Sequence, residues 1–404
     1  MTVTREAIAD DAGVHAAVGA ARASGRAALD LEFLWERTYA PQACLAQLAV
    51  EDVYLIDPVV GAPLEPVAAL VAHPEVEVVM HAPSSDLQLL GMAFGTRPSR
   101  LGDVQVAAGF VGLGAGQSLA ALLDRVLGVR LDKGERYTDW SRRPLSAGQL
   151  EYAVADVAHL LALHDRLTEQ IRARGRDDWL AEELGRRYGP DARLTPDAAT
   201  AWRRVKGQGR LAPRERATLA ALARWREQRA AARDRPVGWI IPDRTLIELA
   251  RRKPSSRRAL MAERGVPDRL GGADADALLA TIRDAEDDEP IRLAPPPPRA
   301  VQERLDLLVP MGALLVAGRA QAAEVAPSLV ATRDEIAAFL QATIADTDEE
   351  GPLRGGWRAE LVGEALRDLA AGRVALAANG TRPYLREVPL RSPDAVSNGG
   401  GPAG

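Results

Sequence analysis

The sequence predicts a mixed α/β domain at the N-terminus followed by helical regions, on three observations. Apolar runs joined by short connections open the chain, a pattern typical of an antiparallel meander. Helix-like segments then alternate with a further apolar run, and this mixed order indicates a central mixed sheet flanked by helices. Beyond the first domain, the apolar spacing between residues 213 and 284 is helical. The predicted strands are 27–33, 43–50, 53–57 and 76–80, and the predicted helices of the first domain include 14–23, 64–72, 117–127 and 147–170.

Length and charge narrow the function classes. A chain of 404 residues is long enough for two or three domains with a substantial core. The formal net charge of -5 gives no overall signal for nucleic-acid binding. Between Trp202 and Arg235, however, eleven Lys and Arg residues stand against three acidic ones, and this excess could follow a phosphate backbone. The alternative is a solvated helical face.

Three features predict a soluble cytoplasmic protein without a membrane partner. Cys44 is the only cysteine, so no intramolecular disulfide can form. The N-terminal residues lack the apolar region of a signal peptide. The longest apolar stretch, near Leu308–Val316, contains Pro310 and is too short to span a bilayer.

Two carboxylates share one face of the first predicted strand. Side chains alternate along a strand, so Asp30 and Glu32 point to one side while Leu29, Leu31 and Phe33 point to the other. Carboxylates placed this way repel each other and raise each other's pKa. A cation between them reverses that cost, and Mg²⁺ or Mn²⁺ suits oxygen ligands.

Asp86 and a Tyr–Asp pair add to this constellation. A helix is predicted to start near Ser84 or Ser85, which places Asp86 in a first helical turn at the end of a strand. A capping-box pattern starts another helix at Ser146, on which Tyr152 and Asp156 lie one turn apart on the same face.

Each of these patterns has an ordinary alternative when it stands alone. A strand pair such as Asp30 and Glu32 is often a solvated face, and Asp86 alone could cap a helix. The three segments in this order are more specific, and the apolar surroundings of the first pair disfavour a solvated face. The sequence has no Cys/His cluster of the kind that holds zinc.

Taken together, these segments resemble the ribonuclease D family of the DEDD exonuclease superfamily, over most of residues 13–385. One subgroup of the superfamily has a tyrosine four residues before the last aspartate, and the other has a histidine five residues before it. Tyr152 and Glu151 place this chain with the tyrosine subgroup. The segments that carry the resemblance are Asp30–Phe33, Tyr39–Gln42, Leu45–Leu48, His81–Asp86, Leu131–Leu145 and Tyr152–Asp156.

The resemblance implies a ribonuclease H-like fold and two-metal hydrolysis of a phosphodiester. Two Mg²⁺ or Mn²⁺ ions, roughly 3.5–4 Å apart, would clamp the scissile phosphate. Tyr152 would orient the attacking water, because a phenol with an ordinary pKa near 10 is a poor base. The implied metal ligands are Asp30, Glu32, Asp86 and Asp156, and the expected substrate contacts are Phe33, His81, Lys133 and Arg136.

His81 has an alternative role, and one segment departs from the family pattern. His81 is as well explained by capping the strand end as by contact with a nucleotide. After the second motif the family often has Asp-Thr, whereas this chain has Asp103-Val104-Gln105, a departure expected to affect only local packing.

The resemblance also divides the chain into domains. The exonuclease domain is expected to be followed by a small helical HRDC domain, an acidic and proline-rich linker, and a second HRDC-like region. Both helical regions are predicted to be all-α. The predicted bounds are 1–195 for the exonuclease domain, 210–284 for the HRDC domain, 285–300 for the linker, 301–385 for the second HRDC-like region and 386–404 for a disordered tail.

The leading interpretation is a metal-dependent 3′→5′ exoribonuclease that releases nucleoside 5′-monophosphates. Its expected partners are tRNA precursors or other structured RNA with a single-stranded 3′ end. The alternatives are a DNA 3′→5′ exonuclease with the same chemistry and a non-catalytic RNA-binding protein. The sequence leaves the RNA substrate, the preferred metal and the oligomeric state open.

Overall fold

In the computed structural model, residues 7–131, 138–267, 270–347 and 350–390 are described. The N-terminal domain is built on a five-stranded sheet in the order β3-β2-β1-β4-β5. The first three strands are antiparallel, whereas β4 and β5 continue the sheet in parallel with β1. The predicted meander and mixed sheet are therefore confirmed. The strands are β1 (Arg26–Leu34), β2 (Gln42–Ala49), β3 (Val53–Ile56), β4 (Glu77–Met80) and β5 (Arg100–Asp103).

Helices cover both faces of this sheet. Leu29 of β1 packs into a core with the first three helices, and Ala28 packs into a second core with helices from the other face. The predicted helix 147–170 is two helices that meet at His159. The helices of this domain are α1 (Asp11–Ser24), α2 (Glu65–Val71), α3 (Ser84–Phe94), α4 (Val104–Gly109), α5 (Leu119–Leu127), α6 (Ala147–Ala158), α7 (Leu160–Ala173) and α8 (Asp177–Tyr188).

The middle region is helical, as predicted, and has a core of its own. Leu219 and Leu222 are fully buried in it, and Pro236 lies between the first two helices. Part of the predicted linker packs back on this region, because the Ile291 amide donates to the Pro213 carbonyl at 3.1 Å. The helices are α9 (Pro213–Arg233), α10 (Val237–Ile240), α11 (Asp243–Arg252), α12 (Arg257–Ala262) and α13 (Gly272–Asp284).

The C-terminal region is helical but ends in a hairpin, so the all-α prediction for 301–385 is incomplete. Strand β7 also covers the first residues of the segment predicted as a disordered tail, so that prediction is wrong for 386–389. The elements are α14 (Arg299–Ala322), α15 (Pro327–Val330), α16 (Arg333–Ile344), α17 (Gly356–Arg358), a π-helical turn (Ala359–Gly363), α18 (Glu364–Ala370), β6 (Val374–Ala378) and β7 (Leu385–Pro389).

Helix α14 is longer than the sequence pattern indicated, because Pro310 lies inside it. By length and composition alone it is long and apolar enough to cross a membrane. Its Leu315 and Val316 are buried in the core that this region shares with the N-terminal domain, whereas Leu307 and Leu314 are exposed.

The C-terminal region is joined to the N-terminal domain by aromatic and ionic contacts. The Trp357 ring lies 5.1 Å from Phe110 and 5.1 Å from Trp179, between centroids. Arg358 is ion-paired with Glu183 of α8, and both side chains are buried. The two regions therefore form one continuous core.

Candidate active site

Strand β1 presents the first two acids as the alternation predicted. Asp30 and Glu32 lie on the face covered by α6, while Leu29, Leu31 and Phe33 pack into the opposite core. The register between β1 and β2 shifts directly after Glu32, at a β-bulge. Such bulges bend a strand and redirect its side chains, here at the edge of the acidic site.

Helix α6 brings Asp156 to these two acids. Oxygen atoms of Asp30, Glu32 and Asp156 lie within 4.8 Å of one another. The predicted capping box fixes the start of the helix. The backbone amide of Gln149 donates to Ser146 Oγ at 3.1 Å, and the backbone amide of Ser146 donates to the side-chain Oε1 of Gln149 at 2.9 Å.

Asp86 completes the acidic cluster from the first turn of α3. Its side chain is buried, and its carboxylate interacts electrostatically with those of Asp30 and Glu32. Hydrogen bonds from its own backbone amide and from that of Leu31 orient it. Asp86 is not among the three acids whose oxygens lie within 4.8 Å of one another, but it is close enough to repel Asp30 and Glu32. The structure therefore brings all four predicted acids together.

Burial and mutual repulsion raise the pKa values in this cluster. Desolvation is the main cause for Asp30, with repulsion from the other three acids added to it. Desolvation, with Asp156 and Asp86, raises the pKa of Glu32 to about 8. Burial raises the pKa of Asp86 to about 6. Among the described residues, no Lys or Arg offsets the charge of these three acids, so a bound cation would relieve it.

The oxygen-only donor set suits a hard divalent cation. Carboxylates are the ligands that Mg²⁺ and Mn²⁺ prefer. The residues therefore fit the metal ions that the sequence analysis expected.

Tyr152 lies beside the cluster with its hydroxyl in a hydrogen bond to Asp156. Its ring contacts Trp140, with centroids 6.0 Å apart. Burial and the nearby Asp156 and Glu32 hold the pKa of Tyr152 above its usual value. The phenol therefore stays protonated at neutral pH, which suits a hydrogen-bonding role and excludes one as a base.

Arg143 holds the segment before α6 against the sheet, a role that the sequence analysis missed. Its guanidinium pairs with buried Asp57, with two N–O distances of 2.5 Å, and donates to the Cys44 carbonyl at 2.7 Å. The ion pair ties the helix that carries Tyr152 to β2 and to the end of β3. The signal was available, because Arg143 belongs to the segment that carries the family resemblance.

Asp103 orders the segment that leads to Asp86. Its carboxylate accepts hydrogen bonds from the Ala82 amide at 3.1 Å and from the Tyr188 hydroxyl at 2.8 Å. Ala82 has a positive φ of 54°, a strained conformation for a residue with a Cβ. Asp103 also caps the start of α4, because its carboxylate accepts from the backbone amide of Gln105 at 2.9 Å. The chain therefore retains a capping aspartate at the point where its sequence departs from the Asp-Thr of the family.

Gln47 is a second residue whose importance the sequence analysis missed. It is fully buried and directly opposite Asp30 across the β1–β2 pair. Within the part of the chain that the structure describes, neither its amide nitrogen nor its oxygen has a hydrogen-bond partner. An unpaired buried amide is costly, and here it lies next to the acidic cluster.

Of the four predicted substrate contacts, Phe33 and His81 lie among the described residues. Phe33 is partly buried and packs on the core of the first three helices. His81 Nε2 lies 2.9 Å from the Gln117 carbonyl, which favours a structural role for that nitrogen. Lys133 and Arg136 lie outside the described residues. Substrate contact by these four side chains stays a prediction.

Two known protein-family models match this chain. Residues 6–172 match the 3′-5′ exonuclease family model, and residues 215–282 match the HRDC domain model. The exonuclease match contains all four acids and Tyr152. The HRDC match lies inside the predicted 210–284 region.

Individual relatives extend the match over nearly the whole chain. Ribonuclease D of Acidiphilium cryptum is 36% identical over 367 residues, which is 89% of this chain and 92% of the relative. Ribonuclease D of Zymomonas mobilis is 35% identical over 354 residues, 86% of this chain and 89% of the relative.

Solved structures give the same result. The crystal structure of Escherichia coli RNase D, described as an exoribonuclease involved in structured RNA processing, matches with a TM-score of 0.75 and 28% identity. The match covers 91% of this chain and 99% of that one. The catalytic core of RRP6 from Trypanosoma brucei shares the fold, with a TM-score of 0.51 and 21% identity. With its acidic site, exonuclease domain and HRDC domain, this chain belongs to the ribonuclease D family and is a 3′→5′ exoribonuclease.

Proposed function

We propose that this exoribonuclease trims the 3′ ends of tRNA precursors in the cytoplasm and releases nucleoside 5′-monophosphates. Asp30, Glu32, Asp86 and Asp156 would hold two divalent cations, Mg²⁺ or Mn²⁺. The observation that carries the metal proposal is the convergence of four acids, of which Asp30, Glu32 and Asp86 have pKa values raised by burial and mutual repulsion.

The bound cations would supply Lewis acidity and an activated water for attack on the phosphodiester. The protein's own side chains set the geometry around that chemistry. Tyr152 keeps its proton and its bond to Asp156, so its hydroxyl can orient a water at the edge of the acidic cluster. Arg143 and Asp103 hold α6 and the Asp86 segment in place.

The basic stretch between Trp202 and Arg235 contributes less to RNA binding than its count of charges suggests. Arg226 pairs with Asp243 at 2.8 Å, while Arg229 and Arg233 share Asp274. These three cations are paired with acids of the HRDC region, so they are less available to a phosphate backbone. RNA contact is left to those cations of the stretch that have no acidic partner.

A cleavage assay on a tRNA with a 3′ trailer tests the proposal. Wild type should shorten the trailer one nucleotide at a time with Mg²⁺ or Mn²⁺, and EDTA should stop it. Asp30→Asn should be inactive, whereas Asp178→Asn, at an exposed aspartate of α8, should match wild type. Faster digestion of a DNA strand of the same sequence would favour the DNA exonuclease alternative. Full activity in Asp30→Asn would refute the ligand assignment.

A further inference from the structure

A cavity of about 660 Å³ lies between the exonuclease domain and the middle helical region. Two of the three segments that carry the acids contribute to its wall. Trp35 follows Glu32 by three residues along the β1 segment, and Gln88 follows Asp86 by two residues in α3. The opposite wall comes from the residues that lead into α9 and from Val237 of α10.

The cavity is close enough to the acids for the same RNA strand to reach both. Three residues of extended chain span about 10 Å, so the Trp35 backbone lies about that far from Glu32. At the spacing of a stacked nucleic-acid strand, this is roughly three nucleotides or fewer. A strand whose 3′ end is at the acids is therefore long enough to reach this cavity within its next few nucleotides.

The walls suit a flat apolar ring. The Trp35 indole is 38% exposed, yet its Nε1 donates to the Tyr39 carbonyl at 2.9 Å, which fixes its orientation. Leu194 and Val237 add apolar surface. A fixed, accessible indole is the platform that proteins use to stack bases of any sequence.

Among the described residues that line the cavity, one cation is left without an acidic partner. Arg193 lies 3.8 Å from Asp197, and Arg204 lies 3.4 Å from Glu227, so both are neutralised locally. Arg203 is exposed, and among the described residues it has no acidic partner. Its guanidinium lies 5.5 Å from the Trp202 ring, which restrains it at the cavity edge.

Glu36 also faces the cavity and would repel a phosphate on its side. A strand that enters the cavity would therefore turn its phosphate toward Arg203 and its base toward Trp35.

We propose that this cavity is an upstream nucleotide subsite, in which Trp35 stacks on a base and Arg203 contacts a phosphate of the RNA being shortened. The inference rests on the proposed orientation of the RNA, with its 3′ end at the four acids. It gives the junction with the HRDC domain a direct role in substrate binding.

Binding measured in EDTA tests the subsite without hydrolysis. A series of 5′-labelled single-stranded RNAs, each with one abasic position, should show one upstream position whose base strengthens binding to wild type. Trp35→Ala should weaken binding of the intact RNA at least about five-fold and should abolish the effect of that one abasic position. Trp35→Phe, which keeps a ring, should retain it.

Two matched variants complete the experiment. Trp239→Ala removes another exposed tryptophan, one that does not line the cavity, and should leave the abasic profile unchanged. Arg203→Gln should lower the salt dependence of binding by about 0.7 in log–log slope, whereas Arg299→Gln, which removes an exposed arginine of α14 paired with Glu303, should not.

An abasic profile that is the same in Trp35→Ala and wild type would overturn the stacking assignment. An unchanged salt slope in Arg203→Gln would overturn the phosphate contact. Since no turnover is measured, failure of the two-metal proposal would appear only in the cleavage assay, and the two results are separable.

Discussion

Replacing Glu32 with glutamine should stabilise the metal-free protein while destroying its activity. Burial and two neighbouring acids raise the pKa of Glu32 from 4.5 to about 8, so the folded protein resists its ionisation. A tenfold change in proton affinity is worth about 1.4 kcal/mol. At pH 7 Glu32 is ionised in the unfolded chain but mostly protonated in the folded one, which costs the native state up to about 3 kcal/mol. Well above pH 8 it is ionised in both states, and the cost reaches about 5 kcal/mol.

The sign of this effect fixes its pH window. A raised acid pKa destabilises the fold as pH rises above 4.5, and the loss levels off above about pH 8. The stability gap between Glu32→Gln and wild type should therefore be absent near pH 4 and should widen through neutral pH. Urea unfolding in EDTA across this range measures it, with Glu51→Gln, an exposed glutamate between β2 and β3, as the control.

Metal addition provides the complementary measurement. Mg²⁺ or Mn²⁺ should stabilise wild type, because the cation binds the folded state, and should stabilise Glu32→Gln much less. The claim that burial and repulsion of Glu32 destabilise the metal-free protein would be refuted by either of two results. One is a difference in unfolding free energy between Glu32→Gln and wild type that does not change with pH; the other is a Glu32→Gln variant no more stable than wild type at pH 8.

Three further predictions concern the groups around the acids. Tyr152→Phe should keep Mn²⁺ binding by calorimetry but lose about a hundred-fold in kcat; unchanged turnover would remove its role. Arg143→Met leaves Asp57 buried without its partner and should lower the free energy of unfolding by about 3 kcal/mol or more, measured by urea titration, with Arg142→Met as control. Burial alone would raise the pKa of Glu183, but hydrogen bonds from Arg186, Arg358 and Arg187 outweigh it and lower that pKa from 4.5 to about 2. Together these three contacts therefore contribute about 3 kcal/mol above pH 4.5, which should be lost as the pH falls from 4.5 to 2; an Arg358→Met variant, which lacks one of them, would contradict this if its acid unfolding profile matched that of wild type.

Local spacing was enough to predict the acids, because their geometry is set within single elements. Alternation along a strand places Asp30 and Glu32 together, and the capping box at Ser146 fixes the phase of the helix that carries Tyr152 and Asp156. The family resemblance then joined the three segments, which spacing alone does not bring together.

The residues that support the site were not predictable in the same way. Arg143 and Asp57 are 86 positions apart, so only the fold shows that they pair. Gln47 resembles any polar residue of a strand until its burial opposite Asp30 is seen. The C-terminal hairpin was missed because its strands are short and follow a region of helical spacing.

The two helical regions differ in how they relate to the catalytic domain. The C-terminal region shares a continuous apolar core with it, through Trp357 and the buried Arg358–Glu183 pair. The HRDC region keeps a separate core and meets the catalytic domain partly through polar contacts, such as the 3.0 Å bond from the Tyr39 hydroxyl to Glu227. A shared core supports the fold of the catalytic domain, whereas a polar junction beside the acids leaves room for a strand. If the proposed subsite is correct, the HRDC region contributes to RNA binding chiefly by forming one wall of the cavity next to the active site, and less through its count of positive charges.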